Sequence, residues 1–340
     1  MLDVTFAPAT TLGHKTQPVC PRCGGALAET RTCKTCDRCG TIYASRNGID
    51  SLLAEQVDLE FTRGIRAFYE SHPFPAYDGV LDSAALLARA TPDSFAQTLD
   101  RSLPLGATVL ELGCGTGQLT NFLGLTGRFA TGADLSMASL LRGESFRQHE
   151  RIDRARFVQM DIFAPAFRPE SFDVVISMGV LHHTRDPKGA IAIAASLLKP
   201  GGHLIVGLYH RYARFRHNMR RRLLRHDVAT LERQDTVLRR SRSDDRREAW
   251  FFDQYEHPYE TCHTAAEARD WFEAAEIEFV RTVPDYGSAK TQYAPSDLLQ
   301  PSAQASPLKA RIAEVAQAFT RNEDGGLFVT VGRKPTEACS

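Results

Sequence analysis

Apolar residues fall into short continuous runs, each ending in glycine or a polar side chain and separated by stretches of helical character. Val109 to Leu112 is followed at once by glycines at 113, 115 and 117. Phe129 to Asp134, Phe157 to Ile162 and Ser171 to His183 repeat the form, and Leu197 to Gly207 closes a helix with Pro-Gly-Gly and starts a fifth strand. Runs of this length, apolar at successive positions, are strands covered on both faces. Their alternation with helical segments predicts an α/β chain with an open, doubly wound, mostly parallel sheet. Ile277 to Val283 and Leu327 to Gly332 supply two final strands, for a total of seven. Thr264-Ala-Ala-Glu267 has the form of a capping box and predicts a helix through Trp271 and Phe272.

Ligands on such sheets bind beyond the carboxyl ends of the strands, which is where the chemistry of this sequence gathers. Bare glycine backbone after the first strand lets a ligand approach closely. Glu111 at that strand's end suits a cationic or hydroxylated group better than a phosphate. Asp134 ends the second strand about 20 residues after the glycine turn, as a ribose-binding carboxylate would. The run Glu111-Leu-Gly-Cys-Gly-Thr-Gly117 resembles the first motif of class I methyltransferases that use S-adenosylmethionine (SAM), of the type 11 kind. The later strands agree with it in order from about 105 to 209. The resemblance implies a Rossmann-like fold and a cofactor site of Glu111, Gly113, Gly115, Gly117, Asp134, Leu135, Asp161, Ile162 and Ser177. In the family, residues matching Asp161 and Ile162 contact the adenine ring. Cys114 reads as a small packing residue and Asp173 as the cap of a turn.

At 340 residues the chain can hold one large core and a smaller module. Lys+Arg and Asp+Glu balance at 41 each, so no global charge draws it to nucleic acid or membrane. The first residues lack the basic start and apolar stretch of a signal peptide, and no apolar run is long enough for a transmembrane segment. A cytoplasmic location is expected, where clustered thiols favour metal over disulfide. Five of the eight cysteines lie between Cys20 and Cys39. Cys20-Pro-Arg-Cys23-Gly and Cys36-Asp-Arg-Cys39-Gly are two knuckles twelve residues apart. Four thiolates on two tight turns complete a tetrahedral, structural zinc (Zn) site of Cys20, Cys23, Cys36 and Cys39. Cys33 is left spare, and a redox pair is the competing reading. The continuation from Thr41 to Leu53 resembles the end of zinc ribbons fused to methyltransferases, some of which act on RNA.

Three regions can choose an acceptor. Phe68 to Asp78 is dense in aromatics and broken by two prolines, the composition of a lid that excludes water; Tyr69 and His72 are its candidate functional members. His182 and His183 follow the fourth strand, where an imidazole can take an acceptor's proton; turn-stabilising hydrogen bonds are the competing role. Arg211 to Arg247 holds 13 arginines against five acids. Met219, Leu223, Leu224, Val228 and Leu231 recur at helical spacing, predicting an amphipathic helix with a cationic outer face that can meet RNA, lipid or solvent. Beyond it, Tyr255 and His257 lie in a polar, aromatic loop that fits an acceptor pocket. Pro258 argues against a metal shared by His257, Glu260 and His263. Pro295 to Pro307 reads as a mobile loop.

The expected organisation is a zinc-ribbon module over 1–55, a helical and aromatic lid and linker over 56–104 and a SAM-binding core over 105–209. An arginine-rich helical insertion with an acceptor-side loop follows over 210–264, and the end of the sheet over 265–335. The favoured function is methyl transfer from SAM to a small or lipophilic metabolite. An RNA base methyltransferase gripping its substrate with ribbon and arginines is the competing enzyme, and a non-catalytic SAM-binding regulator the competing class. Oligomeric state leaves no mark in the sequence.

Overall fold

A computed structural model describes residues 14–30, 32–54, 59–77, 79–91, 94–224, 227–241, 243–285, 298–302, 306–316, 318 and 326–336. Residues 295–297 and 303–305 of the expected loop, and Asp78 of the aromatic segment, lie outside the described residues.

The cysteine-rich part contributes β1 (Leu27–Glu29), β2 (Cys33–Cys36), β3 (Ile42–Arg46) and β4 (Ile49–Leu52). Three helices follow: α1 (Leu59–Ser71), α2 (Ser83–Ala88) and α3 (Phe95–Ser102). The sheet proper then alternates: β5 (Thr108–Leu112), α4 (Gln118–Leu125), β6 (Phe129–Asp134), α5 (Met137–His149), β7 (Ala155–Met160), β8 (Phe172–Met178), α6 (Pro187–Ser196) and β9 (Leu198–Tyr209). Every residue of β5 is buried, as a central strand covered on both faces requires. Helix starts follow local chemistry: Ser136 caps α5, and Asp186 with Pro187 opens α6.

The predicted insertion is α7 (Phe215–Leu224), α8 (Val228–Gln234), α9 (Thr236–Arg240) and α10 (Asp244–Phe251), ending in a π-helical turn, Phe252–Glu256. It is several short helices, because Asp227, Asp235 and Ser243 each cap a new start. The chain closes with α11 (Ala265–Ala274), β10 (Glu278–Val283), α12 (Pro307–Ala316) and β11 (Leu327–Arg333). The capping box at Thr264 and Glu267 is formed in both directions.

Strand order is β1-β2-β3-β4-β7-β6-β5-β8-β9-β11-β10. The seven expected strands are the run from β7 to β10, parallel from β7 to β9 and antiparallel at β11 and β10. The count differs from seven because the ribbon joins the same sheet. Asn47 and Gly48, both at positive φ, turn β3 into β4, and β4 pairs in parallel with β7 from Asp50↔Val158 to Leu52↔Met160. Ile49 and Leu52 are fully buried, Ile49 with Cys114, Leu140 and Phe157 and Leu52 with the main core. The end of the ribbon module is thus itself a strand of the large sheet.

Burial of Leu52 predicts that Leu52→Ala costs about 2–4 kcal/mol of stability, the range for a large side chain lost from a packed core. Urea unfolding checks this; a loss under about 1 kcal/mol would mean that β4 is not structurally coupled to the sheet.

Candidate active site

The turn after β5 holds Gly113, Gly115 and Gly117 at φ of 72°, 53° and 73°, a left-handed run that only glycine adopts without strain. Room is also lacking. A Cβ on Gly115 would sit 2.1 Å from the carbonyl oxygen of Phe74, and one on Gly113 would meet Val180. Phe74 belongs to the aromatic segment, which is laced to the glycine turn. Thr116 N donates to Phe74 O (3.1 Å), Thr116 Oγ1 to Pro75 O (2.7 Å) and Gln118 Nε2 to Ala76 O (2.8 Å). Glu70 of α1 accepts from the backbone nitrogens of Met137 and Ala138 at the start of α5. The aromatic segment is therefore fixed to the loops at the carboxyl edge of the sheet.

A cavity of about 510 Å³ lies beyond the carboxyl ends of β5, β6 and β7. Glu111, Gly113, Gly115, Asp134, Leu135 and Ile162 line it, and so do Tyr69 and His183. Asp134 accepts from Gly115 N and Ser136 N, both at 2.8 Å, so its carboxylate fixes the glycine turn and the helix start together. Glu111 accepts from Thr120 Oγ1, and burial pushes its pKa up to about 8. Burial also raises Asp134 against the opposing pull of its backbone donors.

Seven sequence candidates lie outside the lining, the first of them His72, whose ring stacks 3.7 Å from that of Phe252. Gly117 caps α4, with the Phe157 ring where a side chain would go. Asp161 is buried and accepts from Phe163 N, while its neighbour Ile162 reaches the cavity. Ser177 donates to Leu112 O inside the sheet. His182 accepts from Tyr209 N and stacks on the Tyr209 ring, a backbone brace. Tyr255 donates to Asp235 and packs with Leu231 and Leu238, in the small core of the insertion rather than at the acceptor side. His257 packs 3.7 Å from the His183 ring and 4.9 Å from Phe68, behind the wall.

His183 is the imidazole that faces the cavity. Its Nδ1 lies 2.8 Å from the carbonyl of Tyr259, which can only accept, so the proton is on Nδ1 and Nε2 carries the lone pair. That Nε2 is buried with no partner among the described residues. Burial, chiefly, lowers the pKa to about 3, so the ring is neutral.

Asp253, Gln254 and Tyr209, absent from the sequence candidates, build the rest of the polar wall, and Arg214 supports it from behind. Fully buried Arg214 donates to Gln254 Oε1 and to Glu260, both at 2.7 Å, and lies over the Tyr209 ring at 3.5 Å. A guanidinium only donates, so it turns the Gln254 oxygen towards itself and the amide nitrogen towards Asp253 Oδ2 and Tyr209 Oη, each at 2.7 Å. Tyr69 Oη donates to Asp253 Oδ1 at 3.2 Å. Burial raises Asp253 to about 6 against the lowering pull of Gln254 and Arg214. No periodicity marks these residues, because the π-helical turn presents Asp253 and Gln254 out of helical register.

In the ribbon the four sulfurs of Cys20, Cys23, Cys36 and Cys39 lie within 4.8 Å of one another. Cys20 and Cys39 are 3.7 Å apart, and Cys23 and Cys36 are 3.4 Å apart. A tetrahedral zinc with Zn–S of about 2.3 Å separates its sulfurs by about 3.8 Å. The donor set therefore fits zinc. Cys33 instead contacts Thr30.

A glycine turn and two acid-ended strands at the carboxyl edge of a parallel sheet define the Rossmann-like class that binds adenosine cofactors. Residues 110–206 match the family model of a methyltransferase domain, type 11, and this stretch of the chain is such a domain. An uncharacterised protein of Synechococcus sp. is 29% identical over 267 residues, covering 68% of this chain and 64% of its own length. A ubiquinone biosynthesis O-methyltransferase of Ralstonia nicotianae is 36% identical over 110 residues, 32% of this chain and 46% of that protein. The chain thus spans less than two thirds of either relative. A SAM-dependent methyltransferase of Methanosarcina mazei has a TM-score of 0.43 at 15% identity, over 69% of this chain and 95% of its own.

The raised pKa of Glu111 predicts a pH signature. Its protonated form stabilises the fold fully below its ordinary value of 4.5, and that stability is lost as pH rises through about 8. Glu111→Gln should remove the loss, so the variant gains about 2–4 kcal/mol on the wild type between pH 4.5 and 8.5 in the ligand-free protein. Urea titrations at the two pH values decide; parallel curves would mean that Glu111 is ionised in the fold.

Proposed function

We propose that this protein transfers a methyl group from SAM to a small or lipophilic acceptor bound beneath the aromatic lid. The observation that carries this reading is the cavity: three acids line it, Glu111 and Asp253 buried and Asp134 half-buried, and Arg89 is the one arginine or lysine among its described lining residues. Acids held towards neutrality by burial favour a cationic ligand, which restores their ionisation. SAM, bearing a sulfonium and an ammonium, is such a ligand and supplies an electrophilic methyl. Glu111, Asp134, Leu135 and Ile162 would hold it, with the glycine turn giving close approach.

The protein's own contribution is positioning, water exclusion and proton acceptance. Tyr69 and Phe74 close one side of the cavity with apolar surface. His183 Nε2, its tautomer set by Tyr259, takes the proton of an acceptor hydroxyl or amine. A base of low pKa accepts only as the nucleophile acquires positive charge, so it works without itself being protonated beforehand. Asp253, aimed by Gln254 and Arg214, receives a second donor of the acceptor. The four cysteines are assigned a structural zinc, since a four-thiolate sphere leaves no open position for chemistry. Two arginines of the insertion, Arg214 and Arg221, are turned inward onto Glu260, which weakens the RNA reading.

The test is transfer of radiolabelled methyl from SAM into host extract, separated into small-molecule, lipid and RNA fractions. Label should enter the small-molecule or lipid fraction, and His183→Ala should lower the rate about 10²–10⁴-fold. Label confined to RNA would reject the acceptor class, and unchanged turnover in the variant would reject the base. Independently, Cys20→Ser should release zinc from the purified protein, read by elemental analysis. Full retention of one zinc would sink the four-cysteine assignment.

A further inference from the structure

The insertion reverses one sequence expectation. Met219 and Leu223 were expected to face the protein, and α7 instead buries His217 and exposes the apolar positions. The reason lies in polar residues at and within the helix. Arg214 and Arg221 are committed to Glu260, and His217 to the carbonyl of Gln254, so those residues choose the inner face. Phe215, Met219 and Leu223, at i, i+4 and i+8, form one outward stripe, 57%, 42% and 71% exposed. Arg216 and Arg222 stand exposed beside it, and α7 contains no acid.

α12 repeats the design. Leu308, Ile312 and Val315 are 70%, 62% and 40% exposed, with Lys309 and Arg311 exposed beside them. Its single acid, Glu314, is buried, accepting from Ala265 N and lying 3.5 Å from His210 Nε2. His210 opens the turn that leads through Arg214 into α7, so the two helices are anchored at one corner of the fold. Together they carry six of the ten large apolar side chains that stand exposed among the described residues.

We propose that the exposed faces of α7 and α12 dock on an anionic lipid bilayer. An apolar stripe flanked by cations and free of acids is the pattern of a helix that lies in the interface of such a membrane. The chain as a whole is neutral, so this local pattern is not a by-product of composition. A second copy is a poor occupant, because a two-fold contact of antiparallel α7 helices centred on Met219 would set Arg216 of each copy against Arg222 of the other. RNA is met by cations and stacking rings, whereas this stripe has one aromatic, Phe215, among aliphatic and thioether side chains. The docked helix begins one residue after Arg214, which aims the cavity wall. A membrane face here would bring the acceptor side of the cavity close to a lipid surface.

The experiment is sedimentation of the full chain with vesicles of phosphatidylcholine, alone or with about 30% phosphatidylglycerol, a typical anionic probe surface. Binding is expected to the anionic vesicles, weakened by salt. Phe215→Ser with Met219→Ser and Leu223→Ser should reduce it at least about tenfold. Arg216→Glu with Arg222→Glu should reduce it tenfold or more, each lost cation being worth roughly fivefold. Both variants change exposed positions and should melt like the wild type, which separates docking from folding. Failure to bind either vesicle, or wild-type binding by both variants, overturns the proposal. So does retention on single-stranded RNA without vesicle binding, or a dimer that the serine variant dissociates.

Discussion

The backbone of Gly115 is pressed from two sides, and the rest of the site is arranged around that contact. Asp134 takes its N–H, and the Phe74 carbonyl occupies the place where any side chain would stand. The first contact ties the turn after β5 to the end of β6. The second ties it to the lid, which is tied in turn to the start of α5 through Glu70. One glycine thus couples sheet edge, helix terminus and lid, and any residue larger than hydrogen would part them. The cavity exists because these elements converge without filling the space between them.

A second constraint comes from a buried charge. Arg214 has no exposure, so its guanidinium must be matched inside the protein, and Glu260, Gln254 and the Tyr209 ring do so. Satisfying it orients the Gln254 amide and through that Asp253. The inward turn of Arg214 and Arg221 also leaves the apolar residues of α7 outside. Polar pairing rather than hydrophobic burial decides which face of that helix is inner.

Much of the fold was legible because a parallel sheet writes itself as apolar runs ending in acids. β5 to β9 fall where those runs do, and Glu111, Asp134, Leu135 and Ile162 share one cavity because they stand at strand ends on one edge. The ribbon's cysteines were legible from their spacing alone. What could not be read was register and direction. β4 was read as the end of the ribbon module, since four residues of sequence do not say that an edge strand is waiting for them. His182 and His183 are adjacent and alike in sequence, yet one braces Tyr209 and the other faces the cavity. Tyr255 and Asp253 are two residues apart on a π-helical turn, and only Asp253 reaches the wall. Helical periodicity placed Met219 and Leu223 inside because it weighs apolar residues and cannot foresee a buried arginine.

We propose that the acid-lined cavity takes SAM. Calorimetric titration of SAM into the ligand-free protein at pH 7 and pH 8.5 tests it most directly. A cation that restores the ionisation of Glu111 should bind at one site, and more tightly at pH 8.5, where less of its binding energy goes into removing the proton held with a pKa of about 8. Absence of saturable heat at either pH, or an affinity that falls as pH rises, would contradict the account.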